Sequence, residues 1–199
     1  MLHAVSCLQT FAHYMMEKPF RCRVDAVLRS FCTNFSRLRL SVLLIACLCS
    51  SPVSAEPVRR GQVAPDFNLP LLRENTPVAL ADFRGKLVYL DFWASWCPPC
   101  RVSMPELESL HEEFPADKFT ILAVNLDEDR NKALKFLERV PVSYQILIDT
   151  DGEIPSRYQL PGMPTGYLLD PSGVVLHVHK GYRPGDKELI RELVNKHLK

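Results

Sequence analysis

The sequence predicts an α/β fold, a central sheet with helices on both faces. Three observations carry that reading. Apolar strand-like runs alternate with stretches of helical periodicity across the second half of the chain. Two of those runs, residues 87–92 and 121–124, are apolar almost throughout, as strands covered on both faces are. The chain then closes on a hairpin and an amphipathic helix. With 199 residues there is length for one domain with a full core and something extra.

The extra lies first. Arg37 and Arg39 precede the apolar stretch 40–49, which is too short to span a bilayer and suits a signal-peptide h-region. Val53-Ser54-Ala55 follows Pro52 with small residues, so cleavage is expected after Ala55. Residues 1–55 are read as a presequence and the protein as exported, periplasmic or facing the periplasm from the membrane. Two rivals stand beside cleavage. Leu44-Ile45-Ala46-Cys47 resembles a bacterial lipoprotein box, which would put a lipid on Cys47, and an uncleaved stretch would serve as a membrane tether. The segment before Arg37 is long for an n-region, so Met15 or Met16 is a rival start. Charge and cysteines divide at the same place. Residues 1–55 carry six basic and two acidic groups, whereas the remainder is mildly acidic and has no electrostatic footprint for nucleic acid. Of seven cysteines only Cys97 and Cys100 lie beyond residue 55, so the body of an exported protein has no spare thiol to mispair.

Residues 56–62, with Pro57 and Gly61, read as a linker, and 63–199 as the folded domain. Phe67 and Leu69 alternate in a short strand whose prolines confine it to an edge, and Val78-Ala79-Leu80 makes a second. The central strand spans 87–92. A helix runs from the Pro98-Pro99 pair to about Glu113, burying Leu107, Leu110 and Phe114, with Pro105 expected to kink it. A strand at 119–126, a helix at 129–140 and a strand at 144–148 follow, then a short helix at 154–160. Segments 166–170 and 174–180 form a hairpin about the turn Asp170-Pro171-Ser172-Gly173. Asp186 is placed to cap the last helix, whose Ile190, Leu193 and Val194 face the sheet.

The chemistry concentrates in Asp91-Phe92-Trp93-Ala94-Ser95-Trp96-Cys97-Pro98-Pro99-Cys100. Prolines are tolerated in the first turn of a helix, so Cys97 falls at a helix N-terminus, where free N–H groups and the macrodipole favour a thiolate. Cys100 is about one turn on, close enough to close a disulfide with it. That pattern points to thiol–disulfide exchange, with Cys97 attacking and Cys100 resolving. A zinc site with His177 and His179 would not match the usual ligand spacing, and haem attachment needs a His where Arg101 stands. A purely structural disulfide would close too short a loop to constrain the unfolded chain much.

The stretch from Phe92 to Cys100 resembles the active-site signature of the thioredoxin superfamily, and its Pro-Pro pair is most similar to the TlpA/ResA-like branch of exported thiol-disulfide oxidoreductases. The resemblance runs from about Gly61 to the C-terminus. It implies a thioredoxin-like three-layer fold with an N-terminal β-hairpin and a central αβ insertion. It also implies that Met163-Pro164-Thr165 is the cis-proline loop beside the disulfide, where Met163 would meet substrate backbone as an added strand does. Asp91 is an acid within an apolar strand, and the resemblance makes it the buried proton acceptor that helps deprotonate Cys100. Trp93 is read as core, and Trp96, with Pro98 and Pro99, as active-site surface that substrate meets. His111, His177, His179 and His197 are read as surface or packing residues. In some ResA-like proteins an acid three residues after the second cysteine tunes the thiols, and here that position is Ser103.

No cofactor or metal is expected. The implied partners are a protein disulfide substrate, of cytochrome c or copper-assembly type, and a membrane thiol-disulfide carrier as electron donor. Two other classes compete: a thiol peroxidase of peroxiredoxin-like type, weakened by Ala94 where a Thr would stand, and a non-enzymatic metal chaperone using the two thiols.

Overall fold

The computed structural model describes residues 56–198. The presequence, the cleavage site after Ala55, Cys47 and the other candidate tethers lie outside the described residues. Among the described residues no helix is long and apolar enough to cross a membrane.

The element order is β1 (Asn68–Pro70), β2 (Pro77–Ala79), a 3-10 turn (Leu80–Phe83), β3 (Leu87–Trp93), α1 (Pro98–Glu112), β4 (Phe119–Asn125), α2 (Arg130–Leu137), β5 (Gln145–Ile148), α3 (Glu153–Tyr158), β6 (Thr165–Leu169), β7 (Val175–Lys180) and α4 (Asp186–His197). Five strands form the central sheet in the order β5-β4-β3-β6-β7. The first three run parallel, and β6 and β7 are antiparallel to their neighbours. The insertion of α2 and β5 thus supplies one edge strand. β1 and β2 pair antiparallel as a separate two-stranded sheet.

Strand β3 is buried at every position, and its alternation sorts side chains between two cores. Leu87, Tyr89 and Trp93 pack with Cys100, Met104, Leu107 and Leu110 of α1, with Ile190 and Val194 of α4, and with Ala133, Phe136 and Leu137 of α2. Val88, Leu90 and Phe92 pack on the other face with Ile154 and Tyr158 of α3 and with Phe67, Leu69, Leu80 and Phe83. These are the three layers. Asp91 shares its side of the strand with Tyr89 and Trp93, the side covered by α1.

Several boundaries differ from expectation. Leu80 begins the 3-10 turn instead of ending a strand, because Asp82 bonds back to the Ala79 N–H at 2.9 Å and winds the chain. Helix α2 stops at Leu137, since Pro141 biases Val140 away from helical backbone. Helix α3 ends at Gln159, whose φ of 48° turns the chain out of the helix. Asp186 does not cap α4. Gly185 occupies the cap with φ 95°, and the Asp186 carboxylate accepts from the Arg183 N–H at 2.7 Å and lies 3.1 Å from His179 Nε2. Residues 56–62 are held to the body instead of hanging free. The Val58 N–H donates to the Tyr158 carbonyl at 3.2 Å, and the Gly61 N–H to that of Val175 at 2.7 Å.

Candidate active site

The site forms where the C-terminal ends of β3 and β4 meet the N-terminus of α1. Parallel strands direct their following loops to one edge, which is where open α/β sheets place ligands. Cys97 is the N-cap of α1, with extended backbone, and Pro98 and Pro99 open the helix where missing N–H groups leave nothing unpaired. The Cys97 sulfur accepts the Cys100 N–H at 3.3 Å. The two cysteines form a disulfide, S–S 1.97 Å and Cα–Cα 5.3 Å. Cys97 keeps 3% exposure and Cys100 none, so only the first cysteine reaches the surface. Trp96 stands 59% exposed beside it, and Pro98 is exposed as well.

The Met163–Pro164 peptide bond is cis. Pro164 is buried, and its carbonyl accepts the Gly181 N–H at 2.8 Å. Thr165 opens β6 opposite Phe92 of β3, and its hydroxyl donates to the Gly162 carbonyl at 2.8 Å. Met163 packs against the core cluster that contains both cysteines. The loop therefore lies against the same core as the disulfide.

Asp91 pairs across the sheet with Ala123 on one side and Gly166 on the other. It is 2% exposed, and its Oδ2 has no hydrogen-bond partner. Burial pushes its carboxyl up to about 7. Gly166 leaves room beside it: a Cβ there would sit 2.1 Å from the Tyr89 hydroxyl, which fills the space of the missing side chain. The Tyr89 and Tyr144 hydroxyls are pushed up, first by burial and then by the Asp91 charge. Tyr182 donates to Glu106 Oε2 at 2.8 Å, so Glu106 on α1 is tied to the loop before α4. Ser103 is buried and its hydroxyl donates to the Cys100 carbonyl at 3.2 Å. Trp93 is fully buried against Phe136, ring centroids 5.3 Å apart. His177 and His179 lie on β7, His179 turned toward Asp186, while the cysteines are bonded to each other.

One cluster escaped the sequence reading. Asp127, 1% exposed, accepts the Ser95 N–H at 2.9 Å, the Ser95 hydroxyl at 2.9 Å and the Asn125 side-chain amide at 2.8 Å. The Asp127 N–H in turn donates to Asn125 Oδ1 at 3.1 Å. The only sequence signal was that Asn125 and Asp127 end an apolar strand with two polar residues at the same parity.

Comparison with known proteins agrees with this geometry. The Redoxin family profile matches residues 59–193. The thioredoxin-like protein YneN of Bacillus subtilis is 39% identical over 62% of this chain and 73% of its own length. The thiol-disulfide oxidoreductase ResA of Bacillus thuringiensis is 30% identical over 81% of this chain and 96% of its own. Among solved structures, a Chlorobium tepidum chain described as a thiol:disulfide interchange protein DsbE superposes with a TM-score of 0.68 at 42% identity, over 71% of this chain and 99% of that one.

Proposed function

Because this chain belongs to the Redoxin family, as a TlpA/ResA-like thiol-disulfide oxidoreductase of the thioredoxin superfamily, we propose that it works outside the cytoplasm as a reductant of protein disulfides. The observation that carries this reading is a disulfide at a helix N-terminus, with a buried carboxyl that has one unpartnered oxygen on the sheet face which that helix covers. Export is supported by the h-region and cleavage pattern of residues 40–55 and by a body whose only two cysteines form the pair. Cleavage after Ala55, with folded residues 63–199, is preferred to lipidation of Cys47 or an uncleaved tether.

In the cycle, a dithiol donor, such as a membrane thiol-disulfide carrier, gives two electrons and two protons to the Cys97–Cys100 disulfide. The Cys97 thiolate then attacks one sulfur of the substrate disulfide and expels the other as a thiolate. A mixed disulfide remains. Asp91 takes the Cys100 proton, and the Cys100 thiolate attacks Cys97 Sγ, releasing the second substrate sulfur. The original disulfide is restored and the substrate carries two thiols. The helix N-terminus stabilises the Cys97 thiolate through the dipole and the Cys100 N–H. Exposed Trp96 and Pro98, with half-buried Pro99, offer apolar surface to the substrate chain, and the backbone at Met163-Pro164-Thr165 pairs with it as an added strand. Apocytochrome c and copper-assembly proteins are substrate classes the family resemblance implies.

The test is a Cys100→Ser variant exposed to an extract of the compartment. It should accumulate a mixed disulfide through Cys97 that dithiothreitol releases. Capture that persists when Cys97 is also replaced, or no capture at all, would reject the assignment.

A further inference from the structure

We infer that Asp127 is a positioning residue for the Cys97 loop, and that its buried charge makes the Cys97–Cys100 pair more strongly reducing. The inference rests on the reading of that pair as the redox centre.

The geometry is specific. Asn125 pairs with Trp93 at the last rung of β3 and β4, and the Leu126 N–H donates to the Trp93 carbonyl at 2.9 Å. Two residues beyond that rung on each strand, Ser95 meets Asp127. Both Asp127 oxygens are used: Oδ2 accepts from the Ser95 N–H and the Asn125 amide, and Oδ1 from the Ser95 hydroxyl. Three donors point at it and no acceptor does, which is the pattern that suits a carboxylate. The loop from Trp93 to Cys97 is thereby fastened to β4, and Ser95 stands only two residues before the attacking sulfur. Bonds donated to a charged acceptor are the strong kind.

The same arrangement has an electrostatic consequence. Reduction converts an uncharged disulfide into a pair that carries a thiolate. A buried negative charge close by along the loop disfavours that thiolate, so it stabilises the disulfide relative to the dithiol. The Arg101 guanidinium donates to the Ser95 carbonyl at 3.3 Å, but Arg101 is exposed and its charge is screened by solvent. The balance therefore favours the oxidised form, which is the direction a reductant needs.

The Asn variant separates charge from positioning. In Asp127→Asn the amide oxygen still accepts from the Ser95 N–H and Asn125, and the amide nitrogen donates to the Ser95 hydroxyl. Every bond has a counterpart and only the charge is gone. The experiment equilibrates the full chain with glutathione: two glutathione thiols are oxidised to one glutathione disulfide while Cys97 and Cys100 become two thiols. The dithiol fraction is read by thiol alkylation and mass. Asp127→Asn should move the equilibrium constant at least about fivefold toward the dithiol, since even unit charges ~15 Å apart interact by that much at an effective dielectric near 20. A constant within about twofold of the parent's would overturn the inference. If Asp127→Asn does not fold, Asp127→Ser removes the same charge with a smaller side chain and is read in the same way. Loss of folding in both would also overturn it, because the carboxylate would then be a folding element only. A parent chain that does not exchange with glutathione at all defeats the redox reading instead, so the two failures are distinct.

Discussion

Replacing Asp91 by Asn tests the buried carboxyl from two directions. Burial raises this carboxyl from an ordinary 3.8 to about 7. A group that titrates near 7 when folded and near 4 when unfolded costs the folded state up to about 4 kcal/mol once it is ionised. The sign follows from proton binding. Below about pH 4 both states are protonated and Asp91 costs nothing. As pH rises toward 7 the unfolded chain releases the proton while the folded chain holds it, so stability falls. Above 7 the loss levels off. The amide of the variant does not titrate. Asp91→Asn should therefore match the parent near pH 4, apart from a constant offset of ~1 kcal/mol for its buried amide, and exceed it increasingly up to pH 8. Urea unfolding of the disulfide-bonded form is the assay, because neither sulfur titrates there. Kinetics supply the second direction. Discharge by Cys100 of the transient mixed disulfide, followed by rapid acid quench, should accelerate in the parent as pH passes through about 7. In the variant it should be ~100-fold slower with no such inflection, the usual loss when a general base is removed. A flat stability difference between pH 4 and 8 would refute the burial argument. An inflection near 7 that survives in Asp91→Asn would refute the catalytic one.

Two further outcomes follow from the packing. Gly166→Ala forces a Cβ to 2.1 Å from the Tyr89 hydroxyl and 2.3 Å from Cζ, and should destabilise by about 1–3 kcal/mol. Tyr89→Leu removes both atoms, so chemical denaturation of the four members of the cycle should show a coupling of ~1 kcal/mol or more, and simple additivity would contradict the clash. At the other end of α1, Glu113 takes bonds from Arg191 at 2.5 and 2.9 Å and an ion pair from Lys187 at 3.2 Å. The Arg191 bonds hold its carboxyl down at about 2. This contribution is present above the ordinary carboxylate range and lost as pH falls through about 2. Because the site is open to solvent, Glu113→Gln should cost only ~0.2–1 kcal/mol at neutral pH, and less in 1 M salt; thermal melts at two salt concentrations would decide.

The parts legible in the sequence were those written in local periodicity. The run 87–92, apolar but for Asp91, reads as a strand covered on both faces, and the Pro98-Pro99 pair reads as the first turn of the helix that follows it. The cis bond at Pro164 was legible only through resemblance, since local sequence favours trans for any X–Pro bond. Asp186 reads as a cap because a capping residue and a residue one position inside the helix look alike in sequence. What separates them is the left-handed backbone at Gly185 and the waiting Arg183 N–H and His179 ring. Tyr89 and Gly166 are 77 positions apart, and Ser95 and Asp127 are 32 apart. No periodicity couples such pairs. They meet because strand pairing brings their rungs together, and that register is a tertiary fact.

The two buried acids of the site differ in one respect that matches the role proposed for each. Asp91 and Asp127 are almost equally hidden, at 2% and 1% exposure. Around Asp91 the neighbours are apolar side chains and tyrosine rings, and its Oδ2 meets no donor. A carboxylate without donors gains most by binding a proton, so Asp91 suits a group that takes a proton and gives it back within one cycle. Asp127 meets three donors, each of which would lose an acceptor if the oxygen it faces were protonated. Its surroundings suit an acceptor that fastens the loop. Exchanging the two environments would exchange the functions: donors placed around Asp91 would remove its proton affinity near neutral pH, and stripping Ser95 and Asn125 from Asp127 would release both the loop and the field it sets. The proposed division of labour therefore rests on hydrogen-bond donors, not on depth of burial.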